Sequence, residues 1–348
     1  MKTLLIDDIQ PGMILAEDIY SENYILLIAK HTVIDRHTIV RLKEIGIVFV
    51  SVEEDNTKVK KVESVYDEER RNFIQTYENS LLTVREFMNQ VRNQNFEVDK
   101  IKATSEDLMK VVLKNYSVIG RLYLVKDKDD YTYTHCVNVA ILSAMIGEWL
   151  GLPQADIVDL ACAGLLHDMG KTKIDDSILN KPGKLTDEEY EIMQGHALEG
   201  FSLLCEIPDL RGGVVLAALS HHERYDGRGY PLGLRGKEAH LFARIVAVAD
   251  IYDAMTSNRI YRKKVSPFTV AKQIADDRFG VLDPEISQIF LQNVRSLYVG
   301  NRVVLSNGVI GDVIFVDPDH LDRPVIYHDQ GVIDLQKTKE IDITDVIW

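Results

Sequence analysis

Between His135 and Asp250 the chain sets out residues of one chemical kind, separated by apolar segments: His135, the doublet His167-Asp168, His196, the doublet His221-His222, and Asp250. Five of its ten histidines lie between 135 and 222. A fold that buries this series must group the imidazoles and carboxylates or leave them singly unsatisfied in its core. Together these groups suit divalent transition metals, and two ions ~3.5–4 Å apart suit in-line attack on a phosphoester. The series therefore predicts a metal-dependent phosphohydrolase with its site between facing helices.

Periodicity agrees with that reading across 129–290, which is helical apart from its connections. In the first helix His135, Val139, Leu142, Ile146 and Trp149 share a stripe, so His135 points inward at one end. In the second, Ile157, Leu160, Ala161, Gly164 and Asp168 form the inward stripe, with His167 about 100° round. A third helix starts at Thr186, where TDEE places Glu189 for a capping box; Met193, His196, Ala197, Gly200 and Leu204 face inward. VVLAALSHH (214–222) ends on the histidine doublet, and RIVAVADIYDAM (244–255) puts Asp250 one turn after Val246. One buried histidine is more often a satisfied core residue than a ligand. The joint pattern carries the metal reading.

Three further features suggest a phosphorylated substrate. Lys171 lies about one turn after Asp168, where an ammonium could meet a phosphate; the plainer alternative is a lysine at a helix end. ERYDGRGYP (223–231) follows the doublet directly and offers Tyr230 as a wall for a purine base or phosphate, against the plainer reading of a surface turn. RIYRKK (259–264) puts Arg259 and Arg262 about one turn apart, either to grip one phosphate or as a solvated face.

The remaining chain sets outer bounds. A net charge of −14 over 348 residues argues against nonspecific contact with nucleic acid polymer or an anionic membrane. No apolar run reaches ~20 residues and no signal core opens the chain, so a cytoplasmic location is expected. Cys136, Cys162 and Cys205 lack CxxC spacing and read as small buried hydrophobes. Residues 1–52 read as a small α+β module with a helix from Asp35 to Ile45. Residues 53–66 read as a linker or helix lead-in, and 67–128 as helical and a candidate homodimer interface. Residues 297–348 alternate with period two about Asn307-Gly308, a small β module. The expected organisation is thus 1–52, 53–128, 129–296 and 297–348, mostly α, with a small module at each end.

HDMGK (167–171), HHERYDGRGYP (221–231), ADIYDAMTSNRIYR (249–262), YTYTHCVNVA (131–140) and KPGKLTDEE (181–189) resemble the HD-GYP family of the HD phosphohydrolase superfamily. The resemblance covers roughly 129–290. It implies an α-helical HD bundle with two or three metals that hydrolyses cyclic di-GMP to pGpG and often GMP. Mapped by position, it implies His135, His167, Asp168, His196, His221, His222 and Asp250 as ligands. It further implies Lys171, Arg259 and Arg262 on phosphate, and Gly229, Tyr230 and Pro231 in the substrate loop. Asp168 and Lys171 would be catalytic. Tyr131 stands where some members carry the glutamate of a third metal, so two divalent ions, iron or manganese, are expected. Ile260 replaces a frequent proline. In place of the family's usual receiver domain, residues 1–52 are similar to small modules that precede some members. The rival readings are a non-catalytic cyclic di-GMP sensor or scaffold and an HD hydrolase of another cyclic dinucleotide.

Overall fold

The computed structural model describes all residues except 11, 21–25, 29, 31, 33, 35–37, 40–41, 43–46, 54–56, 93–96, 113–130, 258–264, 278–279 and 348. The chain divides into two compact units, Met1–Ile74 and Gln75–Trp348. The first holds strands β1 (Lys2–Leu5), β2 (Ile19–Tyr20), β3 (Leu26–Ile28) and β4 (Phe49–Val52). β1 pairs antiparallel with β4, and β2 with β3. Along β4 Val50 and Val52 are buried while Phe49 is exposed, as a period-two strand requires. Their side chains join Ile6, Ile9, Leu15, Ile28, Ile34 and Leu42 in one apolar cluster. The helix expected over 35–45 falls largely outside the described residues.

Helix α1 (Thr57–Arg92) begins inside the stretch read as a linker or lead-in, so most of that charged segment is itself helical. Lys58, Lys60, Lys61 and Glu63 are strong helix formers, and low apolarity alone does not distinguish a linker from a solvated helix. α2 (Val98–Val112) follows, and then the core helices α3 (Tyr131–Trp149) and α4 (Gln154–Leu166). These two pack closely because Gly164 has no side chain. A Cβ there would lie 2.4 Å from the Ala140 Cα.

After α4 the backbone tightens into a 3₁₀ turn, Met169–Lys173. This corrects the placement of Asp168 on the second helix: α4 ends at Leu166, and Asp168 sits at φ −96°, ψ 11°. Periodicity extends a stripe past a helix end because it registers side chains and not backbone hydrogen bonds. α5 (Asp176–Leu179) leads to α6 (Asp187–Gln194), whose capping box joins Thr186 and Glu189 as expected. Gly195 then interrupts the predicted third helix for one residue before α7 (His196–Cys205). Cys136 and Cys162 are buried, but Cys205 is exposed. It is the last residue of α7, off the stripe that buries His196, Ala197, Gly200, Leu203 and Leu204.

α8 (Gly212–Ser220), α9 (Leu241–Thr256), α10 (Pro267–Asp277) and α11 (Pro284–Tyr298) complete the helical body. α9 packs on α3 and α8, and α8 packs on α7, so the segments that carry the predicted ligands surround one interior. The last 50 or so residues form an antiparallel sheet of β5 (Arg302–Leu305), β6 (Ile310–Asp317), β7 (His320–His328), β8 (Gly331–Asp334) and β9 (Ile343–Ile347). Its order is β8-β7-β6-β5-β9, and β6 and β7 lie against α11 and α10. Gly308 adopts φ 84° in the β5–β6 turn, the left-handed conformation that glycine accepts most readily. Among the described residues no helix is long and apolar enough to cross a membrane.

Candidate active site

The seven predicted residues converge on one buried centre from five segments. Asp168, His196, His221 and His222 form one group of potential donors, and His135, His167 and Asp250 form the other. Asp168 stands between them. Its Oδ2 lies 3.3 Å from His167 Nε2 and 3.7 Å from His135 Nε2, while Oδ1 lies 3.5 Å from His196 Nε2 and 3.9 Å from His221 Nε2. Asp250 Oδ1 is 3.0 Å from His135 Nε2, and its Oδ2 is 3.9 Å from His222 Nδ1.

The far nitrogens show which atoms are available. His167 Nδ1 donates to Gly164 O (2.8 Å), His196 Nδ1 to Met193 O (2.6 Å), and His221 Nδ1 to Ala218 O (3.0 Å). A carbonyl only accepts, so each Nδ1 carries the proton and each Nε2 presents a lone pair to the centre. Burial lowers the pKa of His196, takes His221 well below the usual range and sets His222 at about 3, so these imidazoles are neutral. His196 Nε2 and His221 Nε2 then face each other as lone pairs 3.5 Å apart. His167 Nε2 and Asp168 Oδ1 are buried without a hydrogen-bond partner. Burial alone would raise Asp168, but the electrostatic pull of the His167 ring and of the Lys171 ammonium holds it well below the carboxylate range. Converging lone pairs and an ionised carboxylate, all buried, are a cation's environment, so the residues fit divalent metal.

Burial opposes protonation of His135, yet hydrogen bonds to Asp250 and Asp253 raise it to about 9. A metal at Nε2 would take the place of that proton, releasing it on binding. Asp253 was missed at the sequence level although it lies one turn after Asp250 on α9. Its Oδ2 accepts from His135 Nδ1 at 2.7 Å. A carboxylate of this kind orients the imidazole and raises its basicity. Lys171 Nζ donates to Asp168 Oδ2 at 2.5 Å from a partly exposed position at the rim.

The 3₁₀ turn reaches α7 only because residue 170 is glycine. A Cβ on Gly170 would lie 1.9 Å from His196 O and 2.5 Å from Gly200 N. That close approach sets Asp168 beside His196. Gly229 plays a similar part in the following loop, where a Cβ would meet Arg224 N at 2.3 Å and His222 O at 2.5 Å. Buried Glu223, also missed, accepts from Leu232 N (2.7 Å) and Leu234 N (3.0 Å) and folds the loop back on itself. Its signal was an acid directly after the doublet in a Gly- and Pro-rich stretch. Tyr230, joined to Pro231 by a cis peptide, lays its ring 4.8 Å from that of His222 at 31°. Burial lifts its phenol far above the ordinary value, so the hydroxyl stays protonated. Tyr131 opens α3, with nothing described of its side chain, and Arg259 and Arg262 lie outside the described residues.

Residues 122–286 match the family model described as HD domain. The chain is 38% identical over 217 residues to a cyclic di-GMP phosphodiesterase of Pseudomonas aeruginosa, covering 62% of this chain and 50% of that protein. It is 42% identical over 168 residues to a cyclic di-GMP phosphodiesterase of Thermotoga maritima, covering 47% and 45%. The chain thus matches about half the length of these curated relatives. A solved structure, described as an HDG"Y"P protein from Bdellovibrio bacteriovorus, superposes with a TM-score of 0.53 at 17% identity, covering 84% of this chain and 99% of that one. That likeness supports the fold.

Proposed function

We propose, from the premise that this chain belongs to the HD domain family through residues 122–286, that it is a metal-dependent phosphodiesterase hydrolysing cyclic di-GMP to pGpG or GMP. The carrying observation is the pair of donor groups with Asp168 between them, one carboxylate oxygen toward each. His135, His167 and Asp250 would hold one divalent ion, His196, His221 and His222 a second, and Asp168 both. Such ions supply Lewis acidity toward phosphoryl oxygens and lower the pKa of water.

The protein's own groups do the rest. The ammonium of Lys171 stands at the rim, where it can turn from Asp168 to a phosphate oxygen and offset charge gained in the transition state. Tyr230 offers a ring face as a wall for a guanine base. Glu223 and Gly229 hold that wall beside His222. The test is turnover of cyclic di-GMP by protein loaded with iron or manganese without oxygen, with elemental analysis of the same sample. Full metal content without release of pGpG or GMP would defeat the assignment.

Two expectations belong to this reading. With tyrosine at 131 in place of a carboxylate, metal analysis should return about two ions per chain, the number a two-metal mechanism uses. Three in tag-free protein would show that another donor serves at that end. Arg259→Ala and Arg262→Ala should each lower kcat/KM by about 10- to 150-fold, the worth of a charge-assisted hydrogen bond, and leave metal content unchanged. Lysine at either position should rescue only in part, because it lacks the planar fork. Normal kinetics in both alanine variants would make RIYRKK a solvated face.

A further inference from the structure

A buried chain of hydrogen bonds runs from helix α1 to the far side of His135. Tyr77, fully buried on α1, donates its hydroxyl to Asn138 Oδ1 at 2.7 Å. Asn138 Nδ2 donates to Asp253 Oδ1 at 2.8 Å, and Asp253 Oδ2 accepts from His135 Nδ1 at 2.7 Å. Ser257 Oγ also donates to Asp253 Oδ1, at 3.2 Å. Because an ionised carboxylate only accepts, Asn138 must turn its NH₂ toward Asp253. Its oxygen then requires a donor, which is the Tyr77 hydroxyl. One arrangement satisfies every member.

α1 also holds α3 at a second point, where the Arg85 guanidinium lies 5.9 Å over the Tyr133 ring. Tyr133 and Asn138 flank His135 on α3, so α1 grips that helix on both sides of the ligand. The hydroxyl fixes the direction of an amide, and the amide holds the carboxylate that aims His135.

We propose that Tyr77 is a positioning residue for His135, acting through Asn138 and Asp253, so that helix α1 sets the metal affinity of the site. The proposal rests on the reading of His135 as a metal ligand. Partners behind a ligating histidine are commonly worth about 10- to 100-fold in affinity or activity. One link further out, Tyr77→Phe should weaken Mn²⁺ binding by roughly 3- to 10-fold, a step down from that range.

The experiment titrates Mn²⁺ into the metal-free full chain by calorimetry, for wild type, Tyr77→Phe, Asp253→Asn and the double variant. It also records the imidazole nitrogen shifts of His135 and the melting temperature of each metal-free protein. The expected result is weaker Mn²⁺ binding and a shifted His135 resonance in Tyr77→Phe, with KM for cyclic di-GMP unchanged and kcat reduced. Tyr77→Phe should add nothing in the Asp253→Asn background, where the chain is already broken. A lower melting temperature with wild-type affinity and His135 shifts would overturn the proposal and leave Tyr77 a structural residue. Should Tyr77→Phe not fold, Asn138→Ser is measured the same way, and wild-type affinity there overturns it equally. Failure of wild type itself to bind Mn²⁺, iron or zinc would defeat the metal reading and this proposal together, whereas normal wild-type binding with an indifferent Tyr77→Phe defeats only the latter.

Discussion

Asp168→Ala should lose nearly all hydrolysis and most bound metal while keeping its helices. Asp168 follows the end of α4, so its side chain carries no helical turn, and alanine keeps the local backbone. Removing it deletes the carboxylate that stands between the two donor groups and leaves Lys171 without its 2.5 Å partner. Loss of a single transition-state donor costs about 10²- to 10³-fold, so loss of the shared ligand should exceed about 10³-fold. Binding linkage gives a second reading of the same variant. Metal at about 100 times its Kd stabilises the wild type by about 2.7 kcal/mol, or roughly 5–11 °C in Tm for a unit of this size. Asp168→Ala should show little of that rise. Wild-type metal content and activity in this variant would end the two-ion reading.

Gly170→Ala should destabilise the protein more than any other single methyl added near the site. The new Cβ would stand 1.9 Å from His196 O and 2.5 Å from Gly200 N, and both neighbours are backbone. Overpacking typically costs about 1–3 kcal/mol where side chains can yield. Here the 3₁₀ turn and α7 must separate, so about 3 kcal/mol or more is expected, lowering Tm by roughly 6–12 °C. The same separation draws Asp168 from His196, and metal affinity should fall alongside stability. Gly212→Ala is the control, since a Cβ there meets nothing within 4 Å and α8 gains a better helix former. Equal melting temperatures for the two variants would contradict the packing described.

The convergence of the seven donors was legible because their chemistry is rare in a core and recurs at helix-sized intervals. The capping box at Thr186 and the turn at Gly308 were legible because each is decided within a few residues. Asp253, Asn138 and Glu223 were not. Each looks like an ordinary polar residue until its partner arrives, and Asp253 and His135 are 118 positions apart. Gly170 was read only as part of a motif, since its reason lies in the backbone of another helix. The end of α4 escaped periodicity because Asp168 keeps the inward direction after the helical hydrogen bonds have stopped.

The hydrogen bonds behind the histidines also bear on the order of folding. His167, His196 and His221 are each aimed by a carbonyl three or four residues earlier, so forming the local turn is enough to orient them. His135 is aimed by a residue 118 positions away, and the entropy of closing that loop must be met first. During refolding, divalent metal would therefore encounter the His196–His221 face early, its two rings separated by only 25 positions. The His135 side would close when α3 docks on α9. Hydrogen exchange followed with and without metal should then show protection reaching α7 and α8 before α3.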